Sequence, residues 1–467
     1  MRKDRRAGIP FILITVFLDM LGIGLVIPVL PSLVGTLTTG RELQSYWYGA
    51  LLASYGITQF LGAPLLGALS DRFGRRPVLL VSIFGLGLNF LLTAVSPWLW
   101  LLLVSRLIGG ATGASFSVAS AYIADVTIPE ERSKSFGILG AVFGLGFVCG
   151  PMLGGLLGSY NLRLPYFVSA SLSLLNWLYG FFVLPESHPR DHRAPFSIAK
   201  ANPFSSLATL SRLRGVGGLI SVYALTMLAQ FIVQSTWVLY TNFRFEWGPR
   251  ENGISLFVVG VASALAQGWL LGRLLKRFGE LRTALFGLSS GFLAYVFYGA
   301  ATEGWMMYAI IVANLLGFTA GPALQGIVSK SVDAHKQGVT MGSLTAISSI
   351  MAVIGPLTSA PLLAFVGHLP PRDWRAGITF FLCAFLQAIA LVQAMRHFRK
   401  TTVQAAEIAT EQAKPRYLTF TLFRKNVGTS KSWPSIIVGS LFSKRPRETG
   451  SNWRVSCFAS TFFGTVA

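Results

Sequence analysis

The sequence predicts an all-α membrane protein in which twelve transmembrane helices form two pseudo-symmetric halves of six. Three observations carry that prediction. Only 12% of the 467 residues are charged and 52% are hydrophobic, about half the charge of an average soluble protein, with a mean hydropathy of +0.58. Apolar runs of about 20 residues, enough for a helix to cross the ~30 Å hydrocarbon core, recur along most of the chain. Landmarks of the first half also return in the second at one constant spacing.

The runs fall at 9–30, 47–69, 78–95, 99–123, 136–158, 165–184, 216–240, 252–272, 282–301, 305–328, 339–364 and 376–396. They read as helices because hydrocarbon leaves unpaired backbone groups unsatisfied, and because barrel strands would alternate apolar with polar residues. The first run follows the basic stretch MRKDRRAG. It is too long for a signal-peptide core, contains Asp19 and lacks a small-x-small cleavage site, so it is expected to be retained. With the N-terminus inside, the cytoplasmic loops carry sixteen Lys and Arg and the opposite loops six. That asymmetry follows the positive-inside rule, places both termini in the cytoplasm, and accounts for much of the +21 net charge without a nucleic-acid partner. Cys149, Cys383 and Cys457 are far apart, so neither a disulfide framework nor a metal cluster is expected.

The longest polar break, 185–214, divides the spans six and six. It defines a first half at 1–184, a cytoplasmic central loop at 185–214, a second half at 215–398 and a basic tail at 399–467. GALSDRFG from Gly67 returns as GRLLKRFG from Gly272, Gly137 returns as Gly342, and CGP at 149–151 returns as IGP at 354–356, each 205 residues later. An even number of spans per unit makes the repeat parallel, about an axis along the membrane normal. Carriers of that symmetry hold substrate near the midplane and rock one half against the other.

The stretch GALSDRFGRRPVLL packs Asp71, Arg72, Arg75 and Arg76 between two apolar spans. Arginines and glycines suit any topology-setting turn, but Asp71 does not, since acids contribute little to orientation. Gly67, Asp71, Arg72, Gly74, Arg75 and Arg76 fit the pattern G-x-L-x-D-R-x-G-R-R-P, and here the chain resembles the major facilitator superfamily over about 1–400. The resemblance implies the major facilitator fold and a conformational latch. In it the aspartate meets the positive end of a helix in the other half, a contact worth about 0.3–1 kcal/mol for an exposed carboxylate. Asp125, after YIA, is similar to a further latch acid, grouped with Arg132.

LDMLGIGLVIPVLP at 18–31, SRLIGGATGASFSVASAYIAD at 105–125, GLGFVCGPMLGG at 144–155 and GPALQGIVS at 321–329 together resemble the drug–proton antiporter branch, most of all the tetracycline-resistance efflux proteins. The resemblance implies proton-coupled efflux of a small amphipathic compound by alternating access. Gly146, Gly150 and Gly154 recur every four residues, giving one helix face a groove for a close neighbour. Pro151 is expected to add a bend, and Gly155 completes the motif.

Asp19 lies roughly 13 Å into the first span at 1.5 Å per residue. A charged Asp at a helix centre costs about 2.5–3.5 kcal/mol, so it is expected to face a cavity or carry a proton. Arg106, on one face with Gly110, Gly113 and Ser117, resembles the family's membrane arginine, implicated in proton transfer. Gln59 and Gln267 are similar to cavity positions of the tetracycline exporters, and with Asn89, Gln230, Gln234 and Asn314, polar residues within spans, they are the candidate residues of the substrate cavity. Structural roles compete with each of these readings: anchoring for Arg106, helix-packing hydrogen bonds for the amides, lipid or core contact for Tyr55, Phe60, Phe143, Trp177 and Trp237.

The chain departs from the tetracycline exporters at Asn89 and Gly291, where they carry membrane aspartates, and at Ser263, where they carry a histidine. In those proteins these residues are tied to binding metal-chelated tetracycline or to its exchange for protons, and the substrate expected here is a small amphipathic compound, a drug or tetracycline-like molecule. No cofactor is expected beyond the proton gradient. The expected partners are a small-molecule substrate, protons and the bilayer, with the chain acting as a monomer in a bacterial inner membrane. From Arg396 the tail holds twelve Lys and Arg against three Glu and is expected to be disordered. The five histidines show no metal spacing, and no nucleophile elbow or phosphate loop is present, so an enzyme is not expected. A metabolite or sugar carrier is the alternative within the transporter class, and a channel would not need a latch between halves.

Overall fold

The protein is described by a computed structural model covering residues 2–113, 115–189, 191, 193, 217–332, 334–370 and 373–413. The first half comprises α1 (Arg2–Val26), α2 (Leu30–Thr36), α3 (Arg41–Phe73), α4 (Arg75–Val95), α5 (Leu99–Thr112), α6 (Ser115–Val126), α7 (Pro129–Tyr160) and α8 (Leu164–Val183). The second comprises α9 (Gly217–Phe245), α10 (Pro249–Leu265), a π turn (Ala266–Leu270), α11 (Leu271–Ala300) and α12 (Gly304–Ala313), then a 3₁₀ turn (Asn314–Thr319), α13 (Ala320–Lys330), α14 (Ala334–Val366) and α15 (Ile378–Ala413).

Among the described residues eleven helical stretches are long and apolar enough to cross a membrane. One of them, Pro249–Ala300, has 52 residues, about 78 Å of helix and more than twice a bilayer core. It breaks at Gly279, where φ 76 and ψ 174 are open only to glycine. Two crossings therefore share that stretch, and the count is the expected twelve. The equivalent turn in the first half is made by Gly74, with φ 105 and ψ 163.

The fourth span is two helices rather than the single one expected. Glycines at 109, 110 and 113 lower helix propensity, α5 ends at Gly113 (φ −73, ψ 41), and the Gln59 amide donates to the Gly113 carbonyl at 3.3 Å. The tenth span is interrupted likewise by the 3₁₀ turn 314–319. Pro151 leaves α7 as one helix from Pro129 to Tyr160. The last helix continues to Ala413, past the expected boundary at 398. Residues 401–413, TTVQAAEIATEQA, hold good helix formers and neither Gly nor Pro. The rest of the tail and most of the central loop, including Lys200, Arg212 and Arg214, lie outside the described residues.

Between the halves, α3 packs on α14 and α7 on α10. One end of the molecule is shut and the other parted. At the shut end a single core joins Leu30, Leu51 and Phe90 of the first half to Trp237, Tyr240 and Leu363 of the second. At the end bearing Asp71 there are two cores. One holds Phe11, Leu79, Tyr122 and Leu139; the other holds Leu219, Leu288, Leu324 and Leu344.

Single helix faces repeat the contrast. A Cβ on Gly155 would lie 2.8 Å from Gly253 Cα, and one on Gly260 2.7 Å from Val148. Lower on the same face of α7, Gly140 and Gly144 meet nothing within 4 Å. On α3, Gly56 meets Val353 at 3.2 Å, whereas Gly67 faces open space.

Candidate functional site

Asp19 and Arg106, the charged groups the sequence places inside the membrane, both belong to the first half. Asp19 on α1 is 1% exposed, and neither carboxyl oxygen has a hydrogen-bond partner. Ser115, at the start of α6 just past the break in span four, is a polar neighbour of its carboxyl. Arg106 on α5 is 8% exposed, with its Nε and one Nη unpaired. Tyr48 and Tyr166 lie within electrostatic reach of its guanidinium, and Tyr55 lies within reach of both Arg106 and Asp19. Asn89 is buried, its amide pressed against Gly109 and unpaired.

The glycine groove of α7 supports this site from behind. A Cβ on Gly146 would come 2.7 Å from the Phe17 carbonyl oxygen, and one on Gly150 2.7 Å from Gly24 Cα. Gly154 sits equally close to Leu25. The groove therefore grips α1 on both sides of Asp19, while Gly155 turns to α10 of the other half.

The expected cavity amides scatter. Gln59 serves the broken carbonyl of Gly113. Gln230 and Gln234 are exposed one turn apart on α9. Gln267 sits in the π turn and donates to Ser263 Oγ at 2.7 Å. Asn314, 8% exposed, opens the 3₁₀ turn and accepts from Ser290 Oγ at 3.0 Å. Gly291 faces Gln387 of α15, whose Nε2 would lie 3.1 Å from a Cβ there. Gln387, buried at 2%, was missed because its position twelve spans along gives no local cue. Trp237 is core: its ring packs edge-on to Tyr298 at 5.2 Å, and its Nε1 donates to Ser255.

At the parted end the latch residues meet, though not as expected. Asp71 pairs with Arg75 of its own half at 2.6 Å, not with a helix of the other half, because the two halves stand apart there. Arg75 Nη1 also donates to Ser70 Oγ at 2.6 Å, and its Nε to Asp125 Oδ2 at 3.1 Å. Arg132 donates to the carbonyls of Ala124 and Thr127, on either side of Asp125, rather than to its carboxylate. Arg72 lies over the Phe73 ring at 5.1 Å, and Arg76 donates to the Phe181 carbonyl.

Sequence reading also missed Glu186, in the loop after α8. It accepts the first backbone N–H groups of α4, from Arg75 at 2.8 Å and Arg76 at 3.3 Å, and so neutralises the positive helix start beside Gly74. Its signal is the acid that follows Pro185 directly after an apolar span. Ser187 donates to Asp125 Oδ2 at 3.4 Å, and His188 Nδ1 lies 3.8 Å from the same oxygen. At the shut end Arg244 donates to the carbonyls of Ala301 and Asp373, both at 2.6 Å. Beside it Arg41 sits 5.2 Å over the Phe243 ring, joining the two halves. Among the described residues no group of three His, Cys, Asp or Glu could hold a metal ion.

Known proteins share this fold and much of this sequence. The chain is 42% identical to the tetracycline resistance protein, class C, of Escherichia coli over 372 residues, covering 79% of this chain and 93% of that one. It is 35% identical to the class B protein of Escherichia coli, covering 81% and 94%. The crystal structure of the nucleoside transporter NupG (D323A mutant) superposes with a TM-score of 0.70 at 14% identity, over 84% of this chain and 99% of that one. The Major Facilitator Superfamily model matches residues 12–356. A family match over most of the chain and relatives more than 30% identical along it agree with the two-half helical fold, and the chain belongs to the major facilitator superfamily.

Proposed function

We propose that this protein is a proton-coupled exporter of a small amphipathic drug, working by alternating access. The observation that carries the reading is Asp19: a carboxyl buried in a membrane helix without a hydrogen-bond partner, held by the glycine groove of α7 in a molecule open at one end. An acid in that setting is stable only with a proton or a partner, and exchange between the two couples proton movement to the state of the cavity. Tyr55, within electrostatic reach of both Asp19 and Arg106, stands between the two charges. Gln59, Gln230, Gln234 and Gln267 supply polar contacts for the compound, and Asn89 a neutral hydrogen-bonding group.

The tetracycline-resistance relatives support a drug as substrate. Asn89, Ser263 and Gly291, with Gln387 filling the space beside Gly291, favour an uncharged or cationic amphipathic compound over a metal chelate. The end bearing Asp71 faces the cytoplasm with both termini, in the inner membrane of a bacterial cell. The chain works as a monomer without a cofactor.

The test is export from a pump-deficient cell across a panel of amphipathic dyes and drugs that includes tetracycline, comparing the native chain with Asp19→Asn. Native export that collapses with an uncoupler and is absent in the variant is the expected result. Undiminished gradient-driven export by Asp19→Asn removes Asp19 from the coupling.

A further inference from the structure

The break in span four is duplicated. α5 ends at Thr112 and α6 begins at Ser115; in the second half the 3₁₀ turn Asn314–Thr319 ends and α13 begins at Ala320, 205 residues after Ser115. The interruption thus belongs to the repeated scaffold, and Ser115 and Ala320 are equivalent first residues of the helices that follow it. Asp19 and Ala224 are equivalent by the same spacing. The first half therefore sets an acid and a hydroxyl where the second sets two alanines. Ala224 and Ala320 belong to one apolar core there, with Leu288 and Leu324.

Serine often starts a helix, because its side chain satisfies a backbone N–H. α13 starts without one, so the break itself does not require it. Ser115 is 6% exposed, stands beside the Asp19 carboxyl, and begins a helix of twelve residues that packs against α1. The first N–H groups of a helix have no partner within it and form its positive end. A carboxylate placed there is stabilised, and a neutral carboxyl gains far less. Asp19, 1% exposed and without a hydrogen-bond partner at either oxygen, is the group beside that helix start.

The other elements around Asp19 bring groups of different kinds. α7 turns Gly146 and Gly150 to α1. α8 brings Ser169, which donates to the Gly22 carbonyl, and Asn176, which accepts from Thr15. From α3 comes Tyr55, within reach of both Asp19 and Arg106 of α5; its hydroxyl would lie 3.3 Å from a Cβ on Gly113, at the break.

We propose that Ser115 is the positioning residue of the coupling acid: its hydroxyl, with the start of α6, takes up the charge of Asp19 once the proton leaves. The proton passes to water of the parted end. Ser115 keeps its own hydrogen and directs it to the carboxylate. The break in span four thereby sets how tightly Asp19 holds its proton.

This deepens the proton-coupling reading of Asp19 and rests on it, and two measurements keep the two apart. One is infrared titration of the Asp19 carboxyl in the purified full chain, its band identified by loss in Asp19→Asn. The other is uncoupler-sensitive dye export by everted membrane vesicles as a function of pH. Ser115→Ala is expected to raise the midpoint of the band by about one pH unit, tenfold in proton affinity, the scale of one hydrogen bond to a charged group. Ser115→Thr, which keeps the hydroxyl, is expected to restore it, and Ser115→Cys, a weaker donor, to fall between. Ala320→Ser is expected to leave it unmoved. The pH of half-maximal export is expected to move with the band.

An unmoved midpoint in Ser115→Ala, or a shift that Ser115→Thr does not reverse, overturns the role of Ser115 and leaves Asp19 as the coupling acid. Should Ser115→Ala fail to fold, Ser115→Cys decides in the same way. A band that shifts as expected, in a chain whose export is indifferent to Asp19→Asn, keeps the pairing and removes the coupling reading. An Asp19 band that does not titrate in the native chain overturns both.

Discussion

The same depth of the membrane is charged in one half of this protein and apolar in the other. Asp19, Asn89 and Arg106 have Ala224, Ala294 and Ile311 as their counterparts 205 residues later. Ala294 and Ile311 are buried in the core, at 4% and 0% exposure. Of the fifteen buried polar side-chain atoms without a partner among the described residues, twelve belong to the first half. The second half instead closes on an aromatic cluster of Trp237, Tyr240, Tyr298 and Phe380. Duplication thus preserved the scaffold and let the chemistry diverge. One half keeps costly polar groups whose pairing changes with state, and the other supplies a firm surface to move against.

The most severe break of that contrast is Asp19→Asn. Uncoupler-sensitive dye export is expected to fall at least about tenfold, since the amide cannot exchange a proton at that depth. Arg106→Gln is expected to cost about as much export. Its effect on thermal unfolding of the purified protein should be nil or favourable, because an uncompensated buried charge is removed. A large loss of stability there makes Arg106 an anchor instead.

Trp237→Ala acts on the other half and in the other way. Stability is expected to drop by about 3–5 kcal/mol, the range for emptying an aromatic core site, while export per folded molecule stays sensitive to uncouplers. Altered proton coupling in that variant breaks the division between halves.

Asp71→Asn is expected to slow turnover about twofold to fivefold with substrate affinity unchanged, because it biases two states by no more than an exposed charge contact. A loss of affinity at normal turnover contradicts a latch. The smallest effect belongs to Asp373, in the turn before α15. Hydrogen bonds from Arg375 hold its carboxyl below the usual carboxylate value. Its contribution is therefore present at neutral pH and lost as pH falls through that lowered value. Unfolding temperatures of Asp373→Asn and the native chain are expected to differ slightly at neutral pH and to converge in acid.

The spans, the 205-residue repeat, the latch loop and the two buried charges were legible in the sequence, because each is a local departure from an apolar background. Hydropathy fixes where a helix crosses, and a charge within such a run stands out wherever it points. Glu186 and Gln387 were not legible as partners of Arg75 and Gly291. Each acts across 96 residues or more of chain, and nothing in either neighbourhood names its partner.

The break at Gly113 lay between these cases. Its glycines were visible, but whether a glycine face packs or ends a helix depends on a neighbour such as Gln59 taking up the freed carbonyl. Sequence by itself determined twelve helices, their duplication and which half holds titratable groups, because insertion in a bilayer is governed by composition along the chain. Only the tertiary structure decided which end is shut, that Asp71 pairs within its own half, and that the glycine groove grips α1 around Asp19. Those outcomes depend on distances between helices, which packing sets and composition does not.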